Sequence, residues 1–227
     1  MLKKMTLVFS MAFFVTVTSF CGDAAAAKTK LEIKFGTVAP ADTPWATTLE
    51  DFRDWVLKES KKAGTDVKFK TYLGGQLGGE LEILQGIRRG RIQGGGLTAA
   101  ALASVIPELD VLEIPYLFSS NEEADFVLDN YLYEPFQKIF EKRGFVLVSW
   151  AENGWRNIGL KSKFVKKPSD LKGAKVRSQE SKTHMAFWKK MNANAVPISV
   201  TEVLPSLQTG MVEGFDNTPL FTVAAEW

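Results

Sequence analysis

The strongest constraint on the fold is a change of hydrophobic period between residues 31 and 90. Apolar and polar residues alternate over 31–36 and 66–72, which predicts two strands. Apolar residues instead recur every three or four positions over 45–62 and 80–90, which predicts two amphipathic helices. Because strands and helices alternate along the chain, we predict an α/β fold with parallel strands.

The remaining chain continues this alternation and divides near residue 152. The polar run 152–154 follows a strongly apolar predicted strand over 145–150 and indicates a crossing between two lobes. We therefore predict a first α/β lobe over residues 28–151 and a second over 152–227. Further strands are predicted over 92–96, 155–161, 174–178, 195–199 and 210–216. Helices are predicted over 98–105, 121–143, 181–191 and 201–208, with Ser169 capping a short helix.

The N-terminus has the layout of a secretory signal peptide. Lys3 and Lys4 precede an uncharged apolar run over 5–20, and small residues follow at 24–27. We predict cleavage after Ala27 and a periplasmic product. A transmembrane anchor is the alternative, but the run is shorter than the roughly 20 residues that span a bilayer. Cys21 raises lipidation as another possibility, although Phe20 is not the small residue expected before a lipidated cysteine.

Composition argues against several classes of protein. The net charge is only +2, whereas nucleic-acid binders carry a strongly basic face. Cys21 is the only cysteine, so no thiol remains after the predicted cleavage. The only histidine, His184, falls in a predicted helix among apolar residues, where a packing role is commoner than a catalytic one. No zinc-ligand spacing or nucleophile motif is present. We expect neither an enzyme nor a metal or other cofactor.

Two features indicate anion binding. Glycines 94–96 lie between a predicted strand and a predicted helix, where backbone N–H groups meet anions or where backbones pack closely. Arg177 ends the predicted strand 174–178, and strand ends face the ligand crevice in open α/β domains. A guanidinium binds a carboxylate through two parallel hydrogen bonds. A surface salt bridge is the alternative role for Arg177.

Short motifs then occur together in a recognisable order. They are Gly75-Gln76-Leu77-Gly78, Ile114-Pro115-Tyr116, Asn153-Gly154-x-Arg156, Pro168-x-Asp170-Leu171-Lys172-Gly173-x-Lys175-x-Arg177 and Gly210-x-Val212-Glu213-Gly214-x-Asp216-Asn217-x-Pro219. Over about residues 31–223 the chain resembles the extracytoplasmic solute-binding proteins of tripartite ATP-independent periplasmic (TRAP) transporters, the DctP-type family.

This resemblance implies a two-lobed clamp, like a type II periplasmic binding protein, that closes on a small organic acid and delivers it to the TRAP membrane permease. It assigns Arg177 to the ligand carboxylate, with Asn217 and Arg156 as further contacts. It places Thr98 and Ala99 in the first-lobe ligand loop. Residues 149–153 are a candidate hinge.

Trp45, Glu152 and Phe215 are further candidates for lining the cleft, with packing in the core or hinge as the alternative role. Two other functions stay open, namely a ligand-sensing protein for a membrane receptor and a secreted hydrolase. Family members continue well past the Asn217-x-Pro219 element. We therefore expect this chain to be C-terminally incomplete.

Overall fold

The computed structural model describes residues 30–227. The predicted signal peptide, its cleavage after Ala27, and Cys21 lie outside the described residues. None of the helices within 30–227 combines the length and the apolarity needed to cross a membrane.

The first sheet has three parallel strands in the order β2-β1-β3. The elements are β1 (Lys30–Thr37), α1 (Pro44–Lys62), β2 (Asp66–Tyr72), α2 (Glu80–Arg88) and β3 (Gly94–Gly96). These positions confirm the predicted β-α-β-α order. Thr43 caps α1 by accepting a hydrogen bond from the N–H of Ala46, and Pro44 follows as the first helical residue.

The three glycines of β3 form part of the sheet. An added Cβ at Gly94 would lie 2.7 Å from the ring of Phe35, and one at Gly95 would lie 3.0 Å from the carbonyl oxygen of Gly36. Side chains there would collide with β1, so close packing explains these residues. The glycines therefore lie in a strand, not in an anion-binding turn.

A helical layer completes the first lobe. Its elements are α3 (Ala99–Leu102), the 3₁₀ helix Pro107–Glu113, α4 (Asn121–Val127), the π-helix Leu128–Leu132 and α5 (Tyr133–Lys142). Their apolar faces enclose a core of Ile106, Leu109, Phe136, Phe140 and Leu147. The predicted helix over 121–143 is confirmed, with a π-helical turn in its middle.

The strand predicted over 145–150 is wrong. This segment pairs with no strand among the described residues. Leu147 packs into the core of the helical layer, while Val146 and Val148 are 72% and 59% exposed. The alternating apolar pattern suits a strand, but the ladder that defines a strand needs a neighbour that residues 30–227 do not supply.

The second sheet has four strands in the order β4-β7-β5-β6, of which β4 is antiparallel to β7. The strands are β4 (Asn157–Leu160), β5 (Lys175–Ser178), β6 (Asn194–Pro197) and β7 (Gly214–Asn217). The helices are the 3₁₀ helices Pro168–Leu171 and Val200–Glu202 together with α6 (Lys182–Lys190), α7 (Val203–Gln208) and α8 (Pro219–Ala224).

The prediction that Ser169 caps a helix is wrong. The cap residue of the 3₁₀ helix Pro168–Leu171 is Lys167, and Ser169 lies inside the helix. The side chain of Asp170 accepts hydrogen bonds from the N–H groups of Lys166 and Lys167. A carboxylate satisfies two backbone donors here, whereas a serine hydroxyl is a weaker acceptor.

The two sheets come close together beside the N-terminus of α2. A Cβ on Gly75 would lie 2.7 Å from Cγ2 of Thr201, and one on Gly79 would collide with the hydroxyl of Ser199. Glycine at these two positions allows the loop before α2 to approach the loop after β6. The position of the lobe boundary, at residue 151, stays a prediction.

Candidate ligand-binding cleft

Arg177 lies in β5 and is only 3% exposed. Its Nε donates a hydrogen bond to the carbonyl oxygen of Ile198 at 2.9 Å, which fixes the direction of the guanidinium. Within residues 30–227, no carboxylate lies within salt-bridge distance of Arg177, and its terminal nitrogens donate no hydrogen bond. Burial and the nearby Arg156 lower the pKa of Arg177 to about 10, so the side chain stays charged at neutral pH. The structure therefore holds a buried cation that lacks a counter-ion contact.

A narrow cleft adjoins this guanidinium, between the first and second sheets. Its cavity volume is about 10 Å³. That space holds about one water molecule, so the cleft is nearly closed. Its lining includes Glu80, Thr98 and Ala101 from the first lobe and Arg177, Gln179 and Val200 from the second.

Glu80 lies at the first turn of α2 on the cleft wall. Its carboxylate accepts hydrogen bonds from the N–H of Thr98 at 2.6 Å and from the hydroxyl of Thr98 at 3.0 Å. Burial raises the pKa of Glu80, although these two hydrogen bonds and the charge of Arg177 oppose the rise. Thr98 thus orients a carboxylate toward the cleft and also caps α3.

Arg156 and Asn217 lie together beside β7. Arg156 donates from Nε to a side-chain oxygen of Asp216, from Nη2 to the Asp216 carbonyl, and from Nη1 to Oδ1 of Asn217 at 3.3 Å. Oδ1 of Asn217 also accepts from the N–H of Thr218. Asp216 therefore neutralises Arg156, and the resulting pair orients the Asn217 amide. The predicted role of Arg156 as a direct ligand contact stays a prediction.

A second polar cluster joins the lobes at α6. His184 is buried, and its Nε2 lies 2.7 Å from Oε2 of Glu113 in the 3₁₀ helix of the first lobe. Its Nδ1 lies 3.8 Å from Oδ2 of Asp216 in β7. Next to it, the hydroxyl of Thr183 donates to Asp110 at 2.9 Å. We call these two hydrogen bonds, Thr183–Asp110 and His184–Glu113, the interlobe clasp.

The other predicted site residues divide into two groups. Trp45 donates from Nε1 to the carbonyl oxygen of Glu152 and packs against Phe221, so it contacts both lobes, while the Glu152 side chain is exposed. Phe215 packs against Trp227, whose ring lies 5.7 Å from Cζ of Arg177. Thr98 lines the cleft, whereas Ala99 packs against the core of the helical layer.

Several residues of the site were missed from the sequence, namely Glu80, Glu113, Gln179 and Trp227. An acidic residue at a helix N-terminus is ordinarily explained by the helix dipole. The sequence therefore gives no separate sign that Glu80 lines the cleft. Contacts between lobes depend on long-range folding and leave no local pattern. Within residues 30–227, no group of three His, Cys, Asp or Glu side chains is arranged to hold a metal ion.

Comparison with protein-family models decides the family. The model for bacterial extracellular solute-binding protein, family 7 (DctP), matches residues 35–226. The chain belongs to this family. The predicted DctP-type membership is thereby confirmed.

Family 7 relatives cover most of the chain. A solute-binding protein of Verminephrobacter eiseniae is 29% identical over 203 residues, which are 89% of this chain and 59% of the relative. The 2,3-diketo-L-gulonate-binding periplasmic protein YiaO of Escherichia coli is 27% identical over 205 residues, 90% of this chain and 61% of YiaO. The chain thus spans about three-fifths of the length of these relatives.

Solved structures of similar solute-binding proteins agree with the fold. A TRAP periplasmic solute-binding protein of Polaromonas sp. JS666, bound to D-erythronate, is 26% identical with a TM-score of 0.82 over 86% of this chain and 64% of that one. The sugar acid binding protein DctPAm of Advenella mimigardefordensis, in complex with galactonate, is 28% identical with a TM-score of 0.80 over 86% and 62%. These likenesses confirm the predicted two-lobed, type II-like clamp.

Proposed function

We propose that this protein is a periplasmic solute-binding protein that captures a small organic acid in the cleft beside Arg177 and delivers it to a TRAP-type membrane permease. The observation that carries the proposal is the buried Arg177 guanidinium, which has no carboxylate within salt-bridge distance among the described residues. A buried charge without a salt-bridge partner is costly, and a ligand carboxylate would lower that cost. The planar N–H donors of the Arg177 guanidinium match a carboxylate in geometry.

The opposite wall of the cleft supports a hydroxylated acid. Glu80 presents a carboxylate that is already oriented by Thr98, and ligand hydroxyl groups donate well to such an acceptor. The solved structures to which this chain is similar include complexes with D-erythronate, galactonate and D-glucuronate, all polyhydroxy acids. We therefore propose a polyhydroxy monocarboxylate as the ligand class, with Arg177 at the carboxylate and Glu80 at the hydroxyl groups.

The other predicted contacts take supporting places in this proposal. Thr98 lines the cleft, Asn217 would contribute its amide to a bound acid, and Arg156 orients Asn217 through a direct hydrogen bond. Trp45 donates to the backbone carbonyl of Glu152, Phe215 packs against Trp227 beside Arg177, and Ala99 packs on the core of the helical layer next to Thr98. A solute-binding role requires no catalytic group. Export through the predicted signal peptide, with cleavage after Ala27, would bring the protein to the periplasm.

Binding assays on Arg177 variants test the proposal. Galactonate, D-glucuronate and D-erythronate would be titrated calorimetrically into the wild type, Arg177→Gln and the exposed control Arg89→Gln. Removing one partner of a buried charge pair costs about 2–5 kcal/mol, so Arg177→Gln should weaken binding by about 30-fold or more. Arg89→Gln should bind as the wild type does. Equal affinities in Arg177→Gln and the wild type would disprove the anchor, and no binding of any acid by the folded wild type would disprove the function.

A further inference from the structure

The loop between β4 and the 3₁₀ helix Pro168–Leu171 combines an exposed aromatic ring with a cluster of basic residues. We call residues 161–167 the basic loop. Phe164 at its centre is 90% exposed, which is unusual for a phenylalanine in a folded chain. The loop holds four exposed lysines and no acidic residue; they are Lys161, Lys163, Lys166 and Lys167. Apolar and cationic groups thus share one small area of the second lobe.

The backbone of the basic loop is fixed on both sides of Phe164. The N–H of Lys161 donates to the carbonyl oxygen of Glu213 at 2.8 Å. The side chain of Val165 packs against the second-lobe core. Asp170 accepts hydrogen bonds from the N–H groups of Lys166 and Lys167 at 3.0 and 3.1 Å. These contacts hold the loop in place, so the exposure of Phe164 is a property of an ordered backbone.

The arrangement suits a lipid surface better than a protein surface. Aromatic rings and lysines prefer the bilayer interface, where the ring enters the headgroup region and the ammonium groups contact anionic lipid phosphates. A protein partner would have to provide a pocket shaped for one protruding ring, whereas a bilayer accommodates it without a matching shape. Among residues 30–227, Asp170 is the one carboxylate bonded to the loop; one of its oxygens accepts from two backbone N–H groups, and its charge also attracts Lys163 and Lys167.

From this geometry we infer that the basic loop docks the second lobe on an anionic membrane surface, with Phe164 entering the interface and the lysines contacting the headgroups. Family 7 proteins are extracellular solute-binding proteins, so a membrane surface faces them where they work. Docking of this kind would hold the ligand-bound protein at the membrane, so that it would reach its membrane partner by diffusing along the surface. The inference goes beyond ligand capture and does not depend on it.

Vesicle co-sedimentation tests the inference. The exported, purified protein would be mixed with vesicles of phosphatidylcholine alone or of phosphatidylcholine with an equal amount of phosphatidylglycerol. The variants are Phe164→Ser, the pair Lys163→Gln with Lys166→Gln, and the control pair Lys189→Gln with Lys190→Gln. The control removes two exposed lysines from α6 in the same lobe. Every variant has the same N-terminus, so differences in vesicle binding between the variants arise from the substitutions in the second lobe.

We expect binding to the anionic vesicles only, and weaker binding at high salt. The loop lysine pair should lower the partition coefficient by about 30-fold, since each lysine at such a surface contributes about 5-fold. Phe164→Ser should lower it by about 5-fold or more, and the control pair by less than about 3-fold. Equal losses in the loop pair and the control pair would overturn the inference, because they would indicate general attraction between charges. Absence of binding to anionic vesicles, or full binding by Phe164→Ser, would also overturn it.

Discussion

Glu80 shows how one side chain joins ligand recognition to stability. It lies on the cleft wall, accepts two hydrogen bonds from Thr98, and senses the charge of Arg177. Burial nevertheless dominates and raises the pKa of Glu80 above the ordinary value of 4.5. The folded state therefore favours the protonated form more than the unfolded chain does, and ionisation of Glu80 lowers the free energy of unfolding.

The raised pKa of Glu80 predicts a pH-dependent effect of Glu80→Gln. A group whose folded pKa is raised contributes stability that is fully present below its unfolded pKa and is lost as the pH rises through the folded pKa. Glutamine stays neutral, its amide oxygen can accept from the N–H of Thr98, and its amide NH2 can donate to the Thr98 hydroxyl in place of the bond that the carboxylate accepts. The variant should therefore melt at the wild-type temperature near about pH 4 and above it near about pH 8, as measured by circular dichroism.

The control for this prediction is Glu141→Gln, which removes an exposed carboxylate from α5, away from the cleft. Its melting temperature should follow that of the wild type at both pH values. A stabilisation by Glu80→Gln that did not change with pH would show that ionisation of Glu80 is not the cause. A lower melting temperature at about pH 8 would show that the ionised form stabilises the fold.

Single residues of the site were predictable where a local motif marks them. Arg177 lies near the end of a predicted strand, which marks it as a candidate ligand contact, and the structure places it in β5 beside the cleft. The contact between His184 and Glu113 was not predictable, because 71 positions separate the two residues. The binding roles of Arg177 and Asn217 stay predictions.

At the level of elements, local pattern succeeded where an element contains its own hydrogen bonds or a clear alternation. The helix α1 and the strands β1 and β2 lie within one residue of their predicted ends. Prediction failed for residues 145–150, because a strand depends on a partner that is remote in sequence. The alternation in residues 145–150 indicates which side chains lie on each face of the segment, but not whether another strand pairs with it.

Hydrogen exchange should distinguish this segment from a true strand. In the described part of the chain, the N–H groups of residues 146–150 donate no backbone hydrogen bond, whereas β1 pairs on both sides with β2 and β3. We therefore expect peptides covering 146–150 to exchange far faster than peptides covering 33–36 when deuterium uptake is measured by mass spectrometry. Comparable protection of both regions would show that another strand pairs with residues 146–150 in solution.

At the scale of the whole molecule, the described structure is a nearly closed clamp. The cleft has room for about one water, and glycines 75 and 79 allow the lobes to meet at one edge. The interlobe clasp joins them elsewhere through Thr183–Asp110 and His184–Glu113. The clasp does not include Arg177, so closure and ligand contact involve different side chains.

The clasp predicts that His184→Leu opens the molecule. Leucine fills much of the same volume but cannot bond Glu113, whose carboxylate would then gain free energy by turning to water. Thr183→Val should act in the same direction, because it removes the hydrogen bond to Asp110 at nearly constant shape. Without ligand, the radius of gyration of both variants should exceed the roughly 17 Å of a compact chain of this length. Small-angle X-ray scattering measures this radius.

The exposed neighbour Lys182→Ala provides the matched control for the clasp variants and should leave the radius of gyration unchanged. A melting temperature that falls in His184→Leu without any change in radius would show that His184 stabilises packing within one lobe, and the clasp would then be wrong. An increase in radius that a bound polyhydroxy acid reverses would instead show that ligand and clasp favour the same closed state. Their free energies would then be coupled, so the clasp variants would bind the acid more weakly although they keep Arg177 and Glu80.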